Sequence, residues 1–265
     1  MQIIGKVVFA TVISIIVYIG VTGFFMNSYA PEKFFESREL DAAKAIRDGR
    51  NEQLPNLLQG LDLNRPGQKE MTLLWFAIQE KNFEAIKMIV RAGANPEDHV
   101  VQGVGTAVSF ALQNKDLRYL SALLDGGLPA NHTVEDNTPL IQRAAGAEGA
   151  TLDHVKLLVE RGADLNVQDS IGGTALLSAI NTNQPDRAFY LVEQGADLNK
   201  LTTRGVSAMW AVKLSIDGQQ PGEMRTSFEK LRDLMISKGA KYPPDSSAEV
   251  RKWMRSQGMK VSGKD

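Results

Sequence analysis

Residues 173–199 read GTALLSAINTNQPDRAFYLVEQGADLN, and this stretch decides the fold. It holds two short segments whose apolar residues recur at helical spacing, with a polar turn between them. Thr174 stands at the N-cap of the first segment, where its side chain can accept a hydrogen bond from the open first turn of a helix. Gly195 stands where a left-handed residue ends the second helix. The stretch therefore predicts one helix–turn–helix unit closed by a glycine.

The same unit recurs along the chain. Its closing phrase appears as QGLDLN, RAGANP, ERGADLN and EQGADLN, at 59–64, 91–96, 160–166 and 193–199. Its opening phrase appears as MTLLWFA, GTAVSFA, NTPLIQ, GTALLSA and GVSAMWA, from positions 71, 105, 137, 173 and 205. The glycines that end the units lie 33–35 residues apart, except for a last interval of 44, and are Gly60, Gly93, Gly127, Gly162, Gly195 and Gly239. Such a period predicts a stack of repeats, because no single unit can bury its apolar faces alone.

This pattern resembles the ankyrin repeat, whose period is 33 residues and whose signatures are T-P-L-H-x-A and G-A-D-x-N. The resemblance implies an all-α fold, a solenoid of about six helix–turn–helix units joined by short hairpin fingers. We expect a degenerate first unit at 35–66, followed by units at 67–102, 103–136, 137–171, 172–204 and 205–243. About eleven extra residues near 217–227 predict a mobile loop between the two helices of the sixth unit, and a smaller insertion near 146–151 predicts another in the fourth. Residues 246–257 predict a short helix that covers the last repeat.

The histidine of the T-P-L-H signature is missing from every unit, and its position holds Trp75, Ser109, Ile141, Leu177 and Trp210. In the family this histidine ties neighbouring repeats together by hydrogen bonds, so we expect packing to replace several of those links. Three histidines occur in the chain. His99 and His132 are expected to be solvated finger residues, and His154 a boundary residue at the start of a helix.

Residues 7–26, VVFATVISIIVYIGVTGFFM, form a stretch of twenty residues without a charge. At about 1.5 Å per residue such a helix spans roughly 30 Å, the thickness of the hydrocarbon core. It therefore predicts one N-terminal transmembrane helix that contacts the lipid bilayer, with a cleaved signal peptide as the alternative. The predicted order is a short cytoplasmic N-terminus at 1–6, the signal anchor at 7–26, a linker at 27–36, the repeat domain at 37–244 and a capping helix with its tail at 245–265. With the N-terminus inside, the repeats would lie in the periplasm of a bacterium, anchored in its inner membrane.

The composition excludes several kinds of chemistry. Among 265 residues there is no cysteine, which rules out thiolate metal sites, thiol nucleophiles and disulfides. The formal net charge of −1 disfavours a nucleic-acid partner, which would need a basic surface. No phosphate-binding, zinc-protease, nucleophile-elbow or EF-hand motif occurs in the sequence. We therefore expect no enzyme activity, no catalytic residue, no metal, no cofactor and no small-molecule substrate.

The resemblance instead implies a protein partner on the concave face that the fingertips and first helices form. Fingertip candidates for contact with this partner are Gln68, Lys69, His99, Gln102, Glu135, Asp136, Asp169, Ser170, Thr203 and Arg204. First-helix candidates are Gln79, Glu80, Gln113, Asn114, Thr182 and Asn183. Two apolar residues near finger positions complete the set as candidate anchors, Ile171 and Leu201.

Three functions remain open from the sequence. The first is an immunity protein that neutralises a toxic effector, such as a phospholipase delivered by type VI secretion. The organisation of this chain resembles that of bacterial single-span ankyrin proteins encoded beside such effectors. The second is a periplasmic scaffold that supports a stress-defence enzyme such as catalase. The third is a regulator of another membrane protein.

Overall fold

The computed structural model describes residues 30–98, 101, 103–134 and 137–263. The predicted cytoplasmic N-terminus and membrane span, 1–6 and 7–26, lie outside these residues. Within the described part, no helix is both long and apolar enough to cross a bilayer. Regular structure there is helical, and the backbone pairs as β-structure only at single bridges in the fingers.

Most helices follow one another in pairs. The pairs are α1 Ser37–Arg47 with α2 Leu54–Leu58, α3 Leu73–Gln79 with α4 Phe83–Arg91, α5 Ala107–Gln113 with α6 Arg118–Gly126, α7 Leu140–Gly146 with α8 Leu152–Glu160, α9 Ala175–Asn181 with α10 Pro185–Glu193, and α11 Ala208–Gly218 with α12 Glu223–Ser237. A single helix, α13 Ser247–Ser256, follows the last pair. Short 3-10 turns occupy Pro31–Lys33, Asn51–Gln53 and Gln68–Glu70.

The local signals in the sequence act as predicted. Thr72 Oγ1 accepts a hydrogen bond from Trp75 N at 3.2 Å, and Thr174 caps α9 in the same way. The six helix-ending glycines all have positive φ, from 75° to 117°. The predicted helix–turn–helix units and their fingers are confirmed.

The described residues divide into two compact units, each larger than a single repeat. The first unit comprises those up to 111 together with 118–128, and the second comprises 112–117 together with those from 129 onward. In the first unit, Phe34 and Phe35 are buried, and the Phe35 ring meets Phe76 edge-on at 5.6 Å. Both phenylalanines fall within the predicted linker 27–36, so the packed core of this unit includes part of that segment. Gly126 lets α6 approach α4, since a Cβ there would lie 2.7 Å from Val90 Cβ.

In the second unit, α9 packs between α7 and α11, and α10 packs against α12. The asparagine of the closing phrase links successive fingers. Asn131 Oδ1 accepts from Asp164 N, and Asn166 Oδ1 accepts from Asp197 N, both at 2.7 Å. Asn64 makes the matching bond within the first unit, to Asn95 N at 2.8 Å. The phrase G-A-D-x-N therefore provides a polar ladder along each unit.

The prediction of a mobile loop at 217–227 is wrong. Helix α11 runs to Gly218 and α12 starts at Glu223, so four residues connect them. The inserted residues lengthen the helices because α12 carries a buried apolar stripe at helical spacing, Phe228, Leu231 and Met235. The smaller insertion does form a connection, between Gly146 and Leu152.

The prediction that His154 lies at the start of a helix is confirmed, because it forms a capping box with Thr151 at the start of α8. The sequence did not indicate that this residue is fully buried. Its Nδ1 accepts a hydrogen bond from Thr151 N at 3.1 Å, which places the ring proton on Nε2. Nε2 lies 3.1 Å from the carbonyl oxygen of Asn114, to which it donates. Packing does replace the signature histidine at Trp75, Ile141 and Leu177, all of them buried. A polar link between repeats nevertheless survives, at a different position.

Arg187 provides a second buried polar link. Its guanidinium donates to the carbonyl oxygens of Ala144 at 3.2 Å, Ala145 at 3.1 Å and Ala147 at 2.9 Å, and also to that of Ala150. These carbonyls lie in the last turn of α7 and in the connection after it, where a helix leaves acceptors without internal partners. Burial lowers the pKa of Arg187, and the nearby Asp186 opposes that shift. Arg187 thus holds the small insertion of the fourth repeat against α10.

Candidate functional site: an apolar groove in the second unit

A groove of about 430 Å³ opens between the fingers and the ends of the first helices in the second unit. Ile171 and Leu214 form its most exposed apolar walls, with 58% and 51% of their surfaces accessible. Two such large apolar side chains beside one groove are unusual on a polar surface. The residues that line the groove are Ile171, Asn181, Thr202, Arg204, Val206, Ala211, Leu214 and Ser215.

The finger that carries Ile171 is fixed by Asp169. One carboxylate oxygen accepts from Ile171 N at 2.9 Å and from Gly173 N at 2.7 Å, and the other accepts from Gln142 Nε2 at 2.6 Å. The Ile171 carbonyl then accepts a hydrogen bond from Thr203 N at 2.8 Å in the next finger. The apolar side chain of Ile171 is therefore presented on a backbone held from both sides.

Leu214 lies on α11, seven residues after the cap Ser207. The same distance from the cap selects Gln79, Gln113 and Asn181 in other repeats. Sequence reasoning missed Leu214 because it did not carry this position into the sixth repeat, although the cap spacing would have found it. The same spacing favours Asn181 over Asn183 in the fifth repeat, and Asn181 lines the groove.

The charge at the groove comes from Arg204. Its side chain is exposed, and its backbone carbonyl accepts a hydrogen bond from Arg251 at 3.1 Å. An apolar floor with a cationic rim suits an apolar side chain next to a carboxylate. The lining residues include no histidine, carboxylate or lysine that would act as a general base or a nucleophile.

Among the predicted candidates that fall in the described residues, the structure brings together two in this groove, Ile171 and Arg204. Asp169 supports the finger, Ser170 is exposed beside it, and Leu201 and Thr203 are half-buried at the base of the next finger. Among the helix candidates of the second unit, Gln113, Thr182 and Asn183 are exposed and Asn114 is half-buried. Asn114 bonds to His154, and Asn183 accepts from Gln219 at 3.2 Å.

The first unit holds the other described candidates. Gln68 and Lys69 are exposed, and Gln68 Nε2 donates to Glu36 at 3.2 Å. Gln79 and Glu80 are half-buried at the end of α3, and burial raises the pKa of Glu80. Four further candidates lie outside the described residues, namely His99, Gln102, Glu135 and Asp136. No group of three or more histidine and acidic side chains in the described ranges is placed to hold a metal ion.

Comparisons with known proteins agree with this architecture. The family model described as ankyrin repeats in three copies matches residues 74–169 and 108–202. The fold is similar to the crystal structure of the ankyrin repeat domain of Bcl-3, with a TM-score of 0.56, 23% identity and coverage of 81% of this chain and 97% of that one. It is also similar to an ankyrin repeat domain from Acinetobacter baumannii AYE, with a TM-score of 0.55, 21% identity and coverage of 77% and 100%.

Two curated proteins are similar in sequence. A stretch of 98 residues is 33% identical to the E3 ubiquitin-protein ligase KEG of Arabidopsis thaliana, covering 37% of this chain but only 6% of the ligase. A stretch of 183 residues is 26% identical to Protein PhlB of Serratia liquefaciens, covering 66% of this chain and 79% of that protein. The chain belongs to the ankyrin-repeat family. Its all-helical repeat solenoid is a fold that generally serves as a non-catalytic scaffold for protein–protein interaction.

Proposed function

We propose that this chain is a non-catalytic binding protein that captures a protein partner in the groove of its second unit. The observation that carries the proposal is the pair of exposed apolar residues, Ile171 and Leu214, at a groove with a cationic rim. Binding energy in protein interfaces concentrates in a few apolar anchors near the centre of the contact. A partner segment with an aliphatic or aromatic side chain followed by an acidic residue fits these walls and Arg204.

For the biological role, we propose a membrane-anchored immunity protein in the periplasm that neutralises a secreted toxin, such as a phospholipase effector of type VI secretion. The predicted span at residues 7–26 supports the anchor, and the similarity to a Serratia liquefaciens protein over most of its length supports a bacterial setting. A tether would raise the local concentration of the binding domain at the membrane, where a lipase must act.

The test uses the toxin candidate encoded beside the gene for this chain, directed to the periplasm of a susceptible cell. The full-length chain is expected to restore growth, whereas the double variant Ile171→Asp with Leu214→Asp should not. Loss of one anchor typically costs about 2 kcal/mol or more, or roughly a thirtyfold loss of affinity. The matched control is Ile236→Asp, because Ile236 is an exposed aliphatic residue of the same unit that does not line the groove.

Two results would refute parts of the proposal. Equal protection by the wild-type chain and the groove double variant would show that the groove is not the binding site. No protection by the wild-type chain, despite its presence in the membrane, would remove the immunity role. A different result would favour the scaffold role. In that case the neighbouring gene encodes a catalase, which the wild-type chain binds and the groove double variant does not.

A further inference from the structure

The last helix, α13, has two different faces. Met254 is buried and Val250 and Arg251 are half-buried, which fixes the inner face against the last repeat. The outer face exposes Ala248, Lys252, Trp253 and Arg255 to solvent. The N-terminus of the helix is capped, because Ser246 and Glu249 form a reciprocal capping box. It is therefore a stable, amphipathic end element with a large aromatic ring left outside the core.

The end of the chain is also distinctly cationic. Between positions 238 and 263 there are six lysine and arginine residues but only two acidic ones, although the whole chain has a net charge of −1. Both acidic residues are engaged, Asp245 with Lys241 at 2.6 Å and Glu249 with the backbone and hydroxyl of Ser246. Within the described part of the chain, Lys252 and Lys260 enter no salt bridge. Their charges remain available to an outside partner.

Apolar surface accompanies this charge. Trp253 has 52% of its surface exposed, and Met259 just beyond the helix is exposed as well. The Trp253 side chain forms one wall of a cleft of about 560 Å³. Apolar walls of that cleft come from Leu201, Met209 and Val250, and the paired side chains of Lys241, Asp245 and Glu249 also line it. An apolar cleft with an exposed indole thus lies on the helix that carries Lys252 and Arg255.

We propose that α13 and the tail to residue 263 form a contact surface for anionic lipid headgroups. Lysines and arginines on an amphipathic helix are attracted to a negatively charged bilayer surface. A tryptophan whose ring is half-exposed suits the boundary between headgroups and acyl chains. Trp253 inserts at that boundary, and Lys252 and Lys260 pair with the phosphates. This contact depends neither on the predicted span at 7–26 nor on the groove at Ile171.

An acidic protein is the competing partner for a cationic surface. The combination on α13 favours lipid, because a flat bilayer accepts charges dispersed along a helix and its tail together with one aromatic wedge. A specific acidic interface would be expected to pair several charges around a well-packed apolar centre. Here Lys252, Arg255 and Lys260 lie along the helix and the tail, outside the lining of the cleft, whose one cation is Lys241.

The experiment follows the environment of α13 directly. The natural chain has no cysteine, so Ala248→Cys gives a single attachment point for a polarity-sensitive fluorophore on the outer face. Glu148→Cys, in an exposed connection of the same unit, gives the control position. The full-length chain is incubated with nanodiscs of phosphatidylcholine alone or with increasing phosphatidylglycerol. Fluorescence then reports the ratio of lipid-contacting to free label.

Phosphatidylglycerol is expected to shift the emission of the label at 248 to the blue, with no shift at 148 and none in phosphatidylcholine. Raising the salt to about 1 M should reverse the shift, since the screening length then falls to about 3 Å. Lys252→Gln with Lys260→Gln should lower the contact ratio roughly 25-fold, about fivefold per charge. The variant Lys81→Gln with Lys115→Gln removes the same charge from exposed turns elsewhere and should change nothing.

Trp253→Ser provides an independent arm, because the exposed side chain can be removed while Met254 stays buried. It should abolish the blue shift and leave the helical circular dichroism unchanged. Equal emission in neutral and anionic nanodiscs would overturn the proposal. A response to polyglutamate but not to phosphatidylglycerol would overturn it too, in favour of an acidic protein.

Discussion

Asp169 offers a sharp test of how the finger at the groove is held. Its carboxylate accepts three hydrogen bonds, from Ile171 N, Gly173 N and Gln142 Nε2. Gly173 and Gln142 are buried, so Asp169→Ala leaves two donors without water or a partner. Each buried donor left without a hydrogen-bond partner costs about 1–3 kcal/mol of stability. The backbone N–H of Ile171 adds little to this cost, because it is exposed and can donate to solvent. We expect a loss of about 2–4 kcal/mol in the free energy of unfolding.

Asp169→Asn separates the hydrogen-bond explanation from a steric one. The asparagine oxygen can still accept from Ile171 N and Gly173 N, while its amide nitrogen would face the Gln142 amide. Gln142 Oε1 has no hydrogen-bond partner now, so a rotation of that amide lets it accept from the new nitrogen. The cost should therefore be about 1 kcal/mol, clearly less than that of Asp169→Ala.

The measurement is thermal and urea unfolding of residues 30–265, followed by far-UV circular dichroism. At roughly 2–4 °C per kcal/mol, Asp169→Ala should lower Tm by about 4–16 °C. A double-mutant cycle with Gln142→Ala should give a coupling energy of about 1 kcal/mol or more. Equal destabilisation by the alanine and asparagine variants, or a coupling energy near zero, would refute the reasoning.

Three further outcomes are expected. Arg187→Met keeps a similar volume but removes the donors to the end of α7, and should cost about 2 kcal/mol in urea unfolding, with faster hydrogen exchange confined to residues 140–160. A chain that starts at residue 30 should melt as a helical array, whereas one that starts at 38 loses Phe34 and Phe35 and should be less stable by about 3–6 kcal/mol; equal melting of the two would contradict the packing described. Burial raises the pKa of Glu80, so the folded state binds its proton more readily than the unfolded state. The wild-type chain should therefore gain stability relative to Glu80→Gln as the pH falls from 7 through the folded pKa, and a constant difference across pH would show that this shift is absent.

Much of the fold could be predicted from local signals. Threonine caps and left-handed glycines act within a few residues of themselves, so their spacing revealed the repeats and both helices of most units. The prediction for the insertion in the sixth repeat is wrong, because it assigned the residues in excess of the repeat length to a loop. The stripe of Phe228, Leu231 and Met235 instead extends the helix, and burial against the neighbouring repeat outweighs weak local propensity.

The groove was only half predicted. Ile171 was found because an apolar residue on a polar finger is conspicuous, and Arg204 because it follows at the next fingertip. Leu214 reads as one more apolar residue in an apolar helix, and its exposure depends on how the preceding fingers pack beside α11. Spacing from the cap gives its position in the repeat, but only the packed neighbours decide that it faces solvent.

The sequence by itself determined that this chain carries a stack of ankyrin repeats, because each unit is encoded by short-range caps, turns and apolar periodicity. Only the tertiary structure decided which side chains link one repeat to the next. His154 reaches a carbonyl 40 residues away, and Arg187 reaches carbonyls 37–43 residues away. Partners at such distances follow from the three-dimensional superposition of successive repeats, which no local pattern specifies. The same superposition places Ile171 and Leu214 beside one groove.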